Sequence, residues 1–310
     1  MPTALITHPA CLEHENGPYH PESPERLRAV LAALEAEEFA PLLRESAPEA
    51  TEEQLRRVHP ADYVAAILSI RPDHGETVQL DADTSMGAGS AEAALRAAGG
   101  AVAAVDAVMQ GWARAAFAAV RPPGHHAEPS RPMGFCLFNN AAVAALHARA
   151  VHNVQRVAVV DFDVHHGNGT QAMFEQDSDL FYGSSHQSPC YPGTGDAWER
   201  GVANNIVNAP LRPGDGSAVF RANWGDIILP ELDRFAPDLL IVSAGFDAHK
   251  ADPLAQIRLD TVDYAWITDE LMRIADRHCQ GRLVSVLEGG YDLDALAASA
   301  AVHVRGLMRA

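Results

Sequence analysis

The sequence predicts a single α/β domain over residues 1–310, built on a central, mostly parallel sheet with helices on both faces. Three observations carry that expectation. Short, near-continuous apolar runs alternate with longer stretches of helical period, as in "RVAVVDFD" (156–163) followed by a helical stretch at 168–176. Polar clusters rich in Gly, Pro, Asp and His follow the apolar runs on their carboxyl side. No repeat, low-complexity segment or linker-like stretch divides the chain.

"ALITH" (4–8) reads as the first strand. Ser23 precedes Pro24, with Leu27, Val30, Leu31 and Leu34 at helical spacing, so Ser23 is expected to cap a helix that begins at Pro24. Shorter helices are expected around 51–58 and 61–70, and an alanine-rich helix through 88–110. Strands follow at 115–120, 156–163, 179–186, 238–246 and 283–290, with helices near 139–152, 217–235, 261–278 and 292–309. Apolar strands without polar alternation are buried on both faces, which requires helices on both sides of the sheet.

Composition narrows the function. Lys and Arg total 23 against 41 acidic residues, a formal net charge of −18. That balance argues against non-specific nucleic-acid binding and favours a cationic partner such as a lysine-rich peptide or a polyamine. The scattered Cys11, Cys136, Cys190 and Cys279 form no Cys-x-x-Cys pair, which fits reduced thiols. "MPTALITHPA" lacks a basic segment followed by an apolar one, and no run reaches the length of a membrane span. The expectation is a cytoplasmic protein with no membrane partner; assembly into a homo-oligomer is left open.

The polar motifs share an address at the carboxyl ends of the expected strands, where ligand sites of open parallel sheets collect. In "DFDVHHGNG", strand alternation turns Asp161, Asp163 and His165 one way and Phe162, Val164 and His166 the other. Carboxylate and imidazole at i and i+2 suit one divalent ion, although two ligands are too few for zinc. "SAGFDAHKADPL" offers Asp247, His249 and Asp252 for a further ligand, and spacing does not choose among them. "RPPGHHAEP" presents His125 and His126 on a rigid loop, for acid–base work or as ligands. Phe135 and Tyr191 are candidates for pocket walls or for core packing. Tyr291, after Gly289 and Gly290, is either an oxyanion donor or a rim residue.

Together, "HPESPERL", "VHPADYV", "RPPGHHA", "GFCLFNN", "DFDVHHGNGTQ", "SSHQSPCYPGTG", "SAGFDAHKADPL" and "EGGYDL" resemble the histone deacetylase superfamily, in particular its class II-like and bacterial members, from about residue 8 to 300. The resemblance implies an arginase-like α/β fold and hydrolysis of N-acetyl amides with one zinc ion. It makes Asp163, His165 and Asp252 the zinc ligands and His126 the general base and acid. His125 becomes its partner in the tandem pair, hydrogen-bonded to Asp161, and Tyr291 the oxyanion donor. Gly134, Phe135 and Tyr191 become substrate-binding residues of an acyl-lysine tunnel, with Leu259 at its rim. A structural potassium ion is implied at Asp161, the backbone of Asp163 and His165, Ser184 and Ser185. Asn168 stands where class I members carry aspartate. The implied substrates are acetylated lysine peptides or proteins; acetylated small amines such as acetylpolyamines are the alternative. A binuclear manganese ureohydrolase and a non-catalytic acyl-lysine binder are the more distant ones.

Overall fold

The most apolar runs of the chain become neighbours at the centre of one sheet. The computed structural model describes residues 2–309, among which there are ten strands. They are β1 (Thr3–Thr7), β2 (Leu43–Ser46), β3 (Val78–Asp81), β4 (Thr84–Met86), β5 (Ala115–Ala118), β6 (Val157–Asp161), β7 (Leu180–Gln187), β8 (Ile206–Leu211), β9 (Leu239–Ala244) and β10 (Leu283–Leu287). Eight form one sheet in the order β2-β1-β5-β10-β9-β6-β7-β8, and every neighbouring pair is parallel. β3 and β4 make a separate antiparallel hairpin.

Every residue of β5, β6, β9 and β10 is buried, as their unbroken apolar runs require. One helical layer consists of Ser90–Met109 and Asn140–His152, which pack on each other and on the sheet; Pro24–Ala33, Thr261–His278 and Leu293–Arg309 form a second. Local signals set the helix ends. Asp260 and Asp263 form a capping box at the start of Thr261–His278, and Asn153 in the left-handed conformation closes Asn140–His152. No helix among the described residues is long and apolar enough to cross a membrane.

Several elements differ from expectation. β5, β6, β9 and β10 end two or three residues early, because their last residues leave the ladder and turn into the loops beyond. β2, β8 and the β3–β4 hairpin were not foreseen: β2 and β8 lie at the two edges, and β2 ("LRES") is exposed throughout. The helix expected at 217–235 is interrupted by a wider π turn at Trp224–Ile228. That expected at 51–58 contracts to Glu52–Leu55, and Ser23 stands at its N-cap position without donating or accepting a capping bond.

One buried ion cluster ties the sheet edge together. Glu22 is fully buried and accepts from both Arg121 and Arg26 Nη1, the latter at 2.9 Å. Burial would raise its carboxyl, yet the Arg121 charge, with His14 and Arg26, holds it well below the usual carboxylate range. Arg26 also donates to the carbonyls of Gly290 (2.5 Å) and Glu288, so the cluster links helix Pro24–Ala33 to the loops after β5 and β10. Glu22→Gln leaves two buried guanidiniums short of charge and should destabilise the fold by about 3–5 kcal/mol in urea melts. A loss below about 1 kcal/mol, the scale of an exposed pair, would remove the cluster from that role.

Candidate active site

The loops that follow β5, β10, β9, β6 and β7, five consecutive neighbours in the sheet, carry the polar motifs. They enclose a cavity of about 240 Å³ lined by His126, Gly134, Phe135, His165, Cys190, Tyr191, Leu254, Tyr291 and Asp83.

Acidic residues form the floor. Asp161 ends β6; its Oδ1 accepts the Asp163 N–H (3.1 Å), and its Oδ2 bonds His125 Nδ1 (2.9 Å) and the Tyr182 hydroxyl (3.1 Å). Asp163 Oδ1 accepts the His165 N–H (2.9 Å) and lies 3.1 Å from His165 Nδ1, while its Oδ2 accepts Gly289 N–H (2.8 Å). From the β9 loop, Asp247 Oδ1 accepts Val164 N–H (2.7 Å) and its Oδ2 approaches His165 Nδ1 (3.1 Å). Asp252 accepts Tyr291 N–H (2.7 Å) and Leu254 N–H (3.0 Å). The ligating atoms of Asp163, His165 and Asp247 lie within 4.8 Å of one another. Asp252, which the resemblance preferred to Asp247, is outside that tightest group and borders it.

The electrostatics of this floor call for a cation. Burial, and then the Asp163 charge, push the Asp247 carboxyl up to about 7. Burial would raise Asp163 too, but the charges and hydrogen bonds of His125 and His165 hold it well below its ordinary value. Clustered buried carboxylates around one imidazole, with no lysine or arginine bonded to them, match the donor set of a divalent ion of zinc type. A second carboxylate–imidazole group, Asp106 with His147 and His152, does not fit one as well. There the Arg57 guanidinium lies 3.1 Å from His147 Nδ1; since it only donates, the ring proton sits on Nε2, the atom a metal would need.

The tandem histidines differ in environment although they are adjacent. For His125, burial is outweighed by the charges of Asp163 and Asp161, which push it up to about 10. For His126, burial and then the positive charges of His125 and His165 lower it well below its ordinary value, so the ring is neutral. Its Nδ1 lies 2.8 Å from Asn168 Oδ1. Tyr291 follows Gly290 (φ +122°), with its ring edge-on to Phe135 at 5.9 Å and the Arg26 guanidinium 4.9 Å from its centre. Burial raises its hydroxyl well above the usual range, which keeps it a hydrogen-bond donor.

The walls are aromatic. Tyr191 stands edge-on to His126 at 5.1 Å, and Phe135 packs on His20 at 4.6 Å. Gly134 is required: a Cβ there would fall 2.3 Å from His126 Cδ2. The β3–β4 hairpin holds this turn, with Asp83 Oδ1 accepting Gly134 N–H (3.0 Å) and Thr84 Oγ1 accepting Phe135 N–H (2.9 Å).

Leu259 is a correction. It is fully buried and paired with His249 in a short bridge, and the leucine at the cavity is Leu254. Ser184 and Ser185 do not line the cavity; Ser184 is the cross-strand neighbour of Asp161. His166 points elsewhere, toward Thr194 and Gln171. Sequence reasoning did not single out Asp83, Cys190, Leu254 or Glu288. Glu288 is fully buried behind the tandem histidines, accepting the N–H groups of Gly124 (2.7 Å) and His125 (3.2 Å). A lone carboxylate closing the apolar run "LVSVLE" was the available signal.

Comparison with known proteins bears on the family and the fold. The Histone deacetylase domain family model matches residues 20–307. The chain is 42% identical to "Histone deacetylase-like amidohydrolase" of Pseudomonas aeruginosa, over 93% of this chain and 81% of that protein. It is 38% identical to "Histone deacetylase 14, chloroplastic" of Arabidopsis thaliana, over 96% of this chain and 75% of that one. Among solved structures, "Crystal Structure of HDA15 HD domain" superposes with a TM-score of 0.92 at 37% identity, covering 99% of this chain and 88% of that chain. The sheet is therefore the arginase/deacetylase-like α/β fold, and the chain belongs to the histone deacetylase family of hydrolases.

Proposed function

We propose that this chain is a zinc-dependent deacetylase that hydrolyses the N-acetyl amide of lysine side chains, releasing acetate and the free amine. The observation that carries the reading is the juxtaposition of a neutral histidine, a carboxylate–imidazole cluster and a phenol around one narrow aromatic cavity. Asp163 and His165 would hold the ion, with Asp252 as third ligand. Asp247 lies deeper, fully committed to Val164 N–H and His165, and serves to orient that imidazole. When bound, zinc supplies Lewis acidity toward an amide carbonyl and acidity to water.

The chain's own groups do the rest. His126 takes the water proton and returns it to the departing amine. Tyr291 donates its hydroxyl to the carbonyl oxygen as negative charge develops there. His125, charged and paired with Asp161, adds positive potential beside that oxygen. Phe135 and Tyr191 flank the extended acyl-lysine chain and exclude water from it. The potassium ion implied at Asp161 and Ser184 belongs to the same reading. So does a reducing, cytoplasmic setting, which four free cysteines suit.

Acetylated small amines are the second reading, favoured by the Asp83 carboxylate at the cavity and the net charge of −18. The two separate by kcat/KM on an acetyl-lysine peptide against acetylputrescine: the proposal expects the peptide to be preferred. Tyr291→Phe should lower kcat on the preferred substrate about 10²–10³-fold, the scale of one oxyanion donor; near-native turnover would remove Tyr291 from the chemistry. Metal content after dialysis tests the ligand set. Asp252→Asn should abolish retention of zinc, whereas Asp247→Asn should weaken affinity about 10–100-fold and still fill in excess zinc. The opposite pattern would make Asp247 the ligand.

A further inference from the structure

We propose that Glu128 is a positioning residue for proton transfer: it fixes the orientation of the Asn168 amide and, through it, the tautomer of His126. The inference rests on the assignment of His126 as the proton-transferring base.

A side-chain amide presents an acceptor on one side and a two-proton donor on the other, and it can turn over within the same space. Which side faces His126 decides which ring nitrogen carries the proton. Asn168 is nearly buried and opens the helix Asn168–Phe174 directly behind the ring. Its Oδ1 lies 2.8 Å from His126 Nδ1. Its Nδ2 lies 2.9 Å from Glu128 Oε1 and 3.4 Å from Met133 Sδ. A carboxylate and a thioether accept and do not donate, so only the NH₂ side can face them. The reversed amide would set oxygen against a carboxylate oxygen. Oδ1 therefore accepts from Nδ1–H, which leaves the ring's lone pair on Nε2, the nitrogen free to take a proton in the cavity that His126 lines.

Glu128 itself is well placed for this. It lies two residues beyond His126 and is fixed by reciprocal backbone bonds with Arg131 (3.0 and 3.4 Å). A carboxylate at position 168 would offer two equivalent acceptor oxygens and need no such control. An amide there does need it, so the effect of Glu128 must depend on residue 168.

That dependence is the test. In otherwise native enzyme, E128K places a pure donor against the amide and should turn it over. The expected result is a fall in kcat of about 10–100-fold with KM changed less than about threefold, and E128Q, able to accept or donate, in between. In an N168D background E128K should cost less than about threefold, because an ammonium suits a carboxylate. Histidine ¹⁵N shifts should show the His126 proton on Nδ1 in the native protein and moved to Nε2 in E128K. Equal losses in both backgrounds, no loss, a loss confined to KM, or an unmoved proton would overturn the proposal; thermal melts of all variants would show equal destabilisation as equal losses. H126A separates the two assignments. If it keeps turnover, the base is misassigned; if it is inactive while E128K acts alike in both backgrounds, only the role of Glu128 falls.

Discussion

The constraint on which the rest of the structure depends is the concentration of negative charge at one sheet edge. Asp161, Asp163, Asp247, Asp252 and Glu288 are all buried at the carboxyl ends of β6, β9 and β10. Like charges in a low-dielectric interior repel strongly, and each ion also loses its hydration. The fold answers with directed donors. Backbone N–H groups of Asp163, Val164, His165, Gly289, Tyr291, Gly124 and His125 all point at these carboxylates. His125 and His165 add positive charge, and under the proposed function a divalent ion would complete the balance. Gly289 shows how close the packing is: a Cβ there would lie 2.3 Å from Asp247 Oδ2 and 2.5 Å from Asp163 Oδ2.

This arrangement separates two histidines that adjacency in sequence would make equivalent. The carboxylates that hold His125 positive also make it a neighbour that keeps His126 neutral. One imidazole becomes a fixed charge and the other stays neutral: the acids outweigh burial at His125, whereas burial and the neighbouring positive rings prevail at His126. Tyr291 stands half-buried against Phe135, and its phenol stays protonated because burial outweighs the nearby Arg26 guanidinium, which alone would favour the phenolate.

Much of this was legible in the sequence where a segment is governed by burial. β5, β6, β9 and β10 are central and apolar, and their positions were read to within a few residues. β2 and β8 were not, because edge strands are selected by pairing with one neighbour rather than by hydrophobicity; "LRES" and "IVNAPL" carry no strand pattern. In the site, alternation along "DFDVHH" placed Asp161, Asp163 and His165 apart from His166, and the structure keeps them apart. Counting residues through a loop was less safe. Seven positions beyond Asp252 reached Leu259, but Leu259 N–H bonds the Ala248 carbonyl and its own carbonyl accepts Lys250 N–H. Those bonds fold the strand of loop back into the core and leave Leu254 at the cavity. Glu128 and Glu288 were illegible as roles because their partners lie in other segments of the chain.

The central claim is that the buried acidic floor exists to hold one catalytic ion. The most direct measurement is acetate release from an acetyl-lysine peptide while metal-free protein is titrated with zinc. Release should rise linearly and break at one equivalent per chain. Activity that is full without added metal, or that stays absent at one bound equivalent, would contradict the claim.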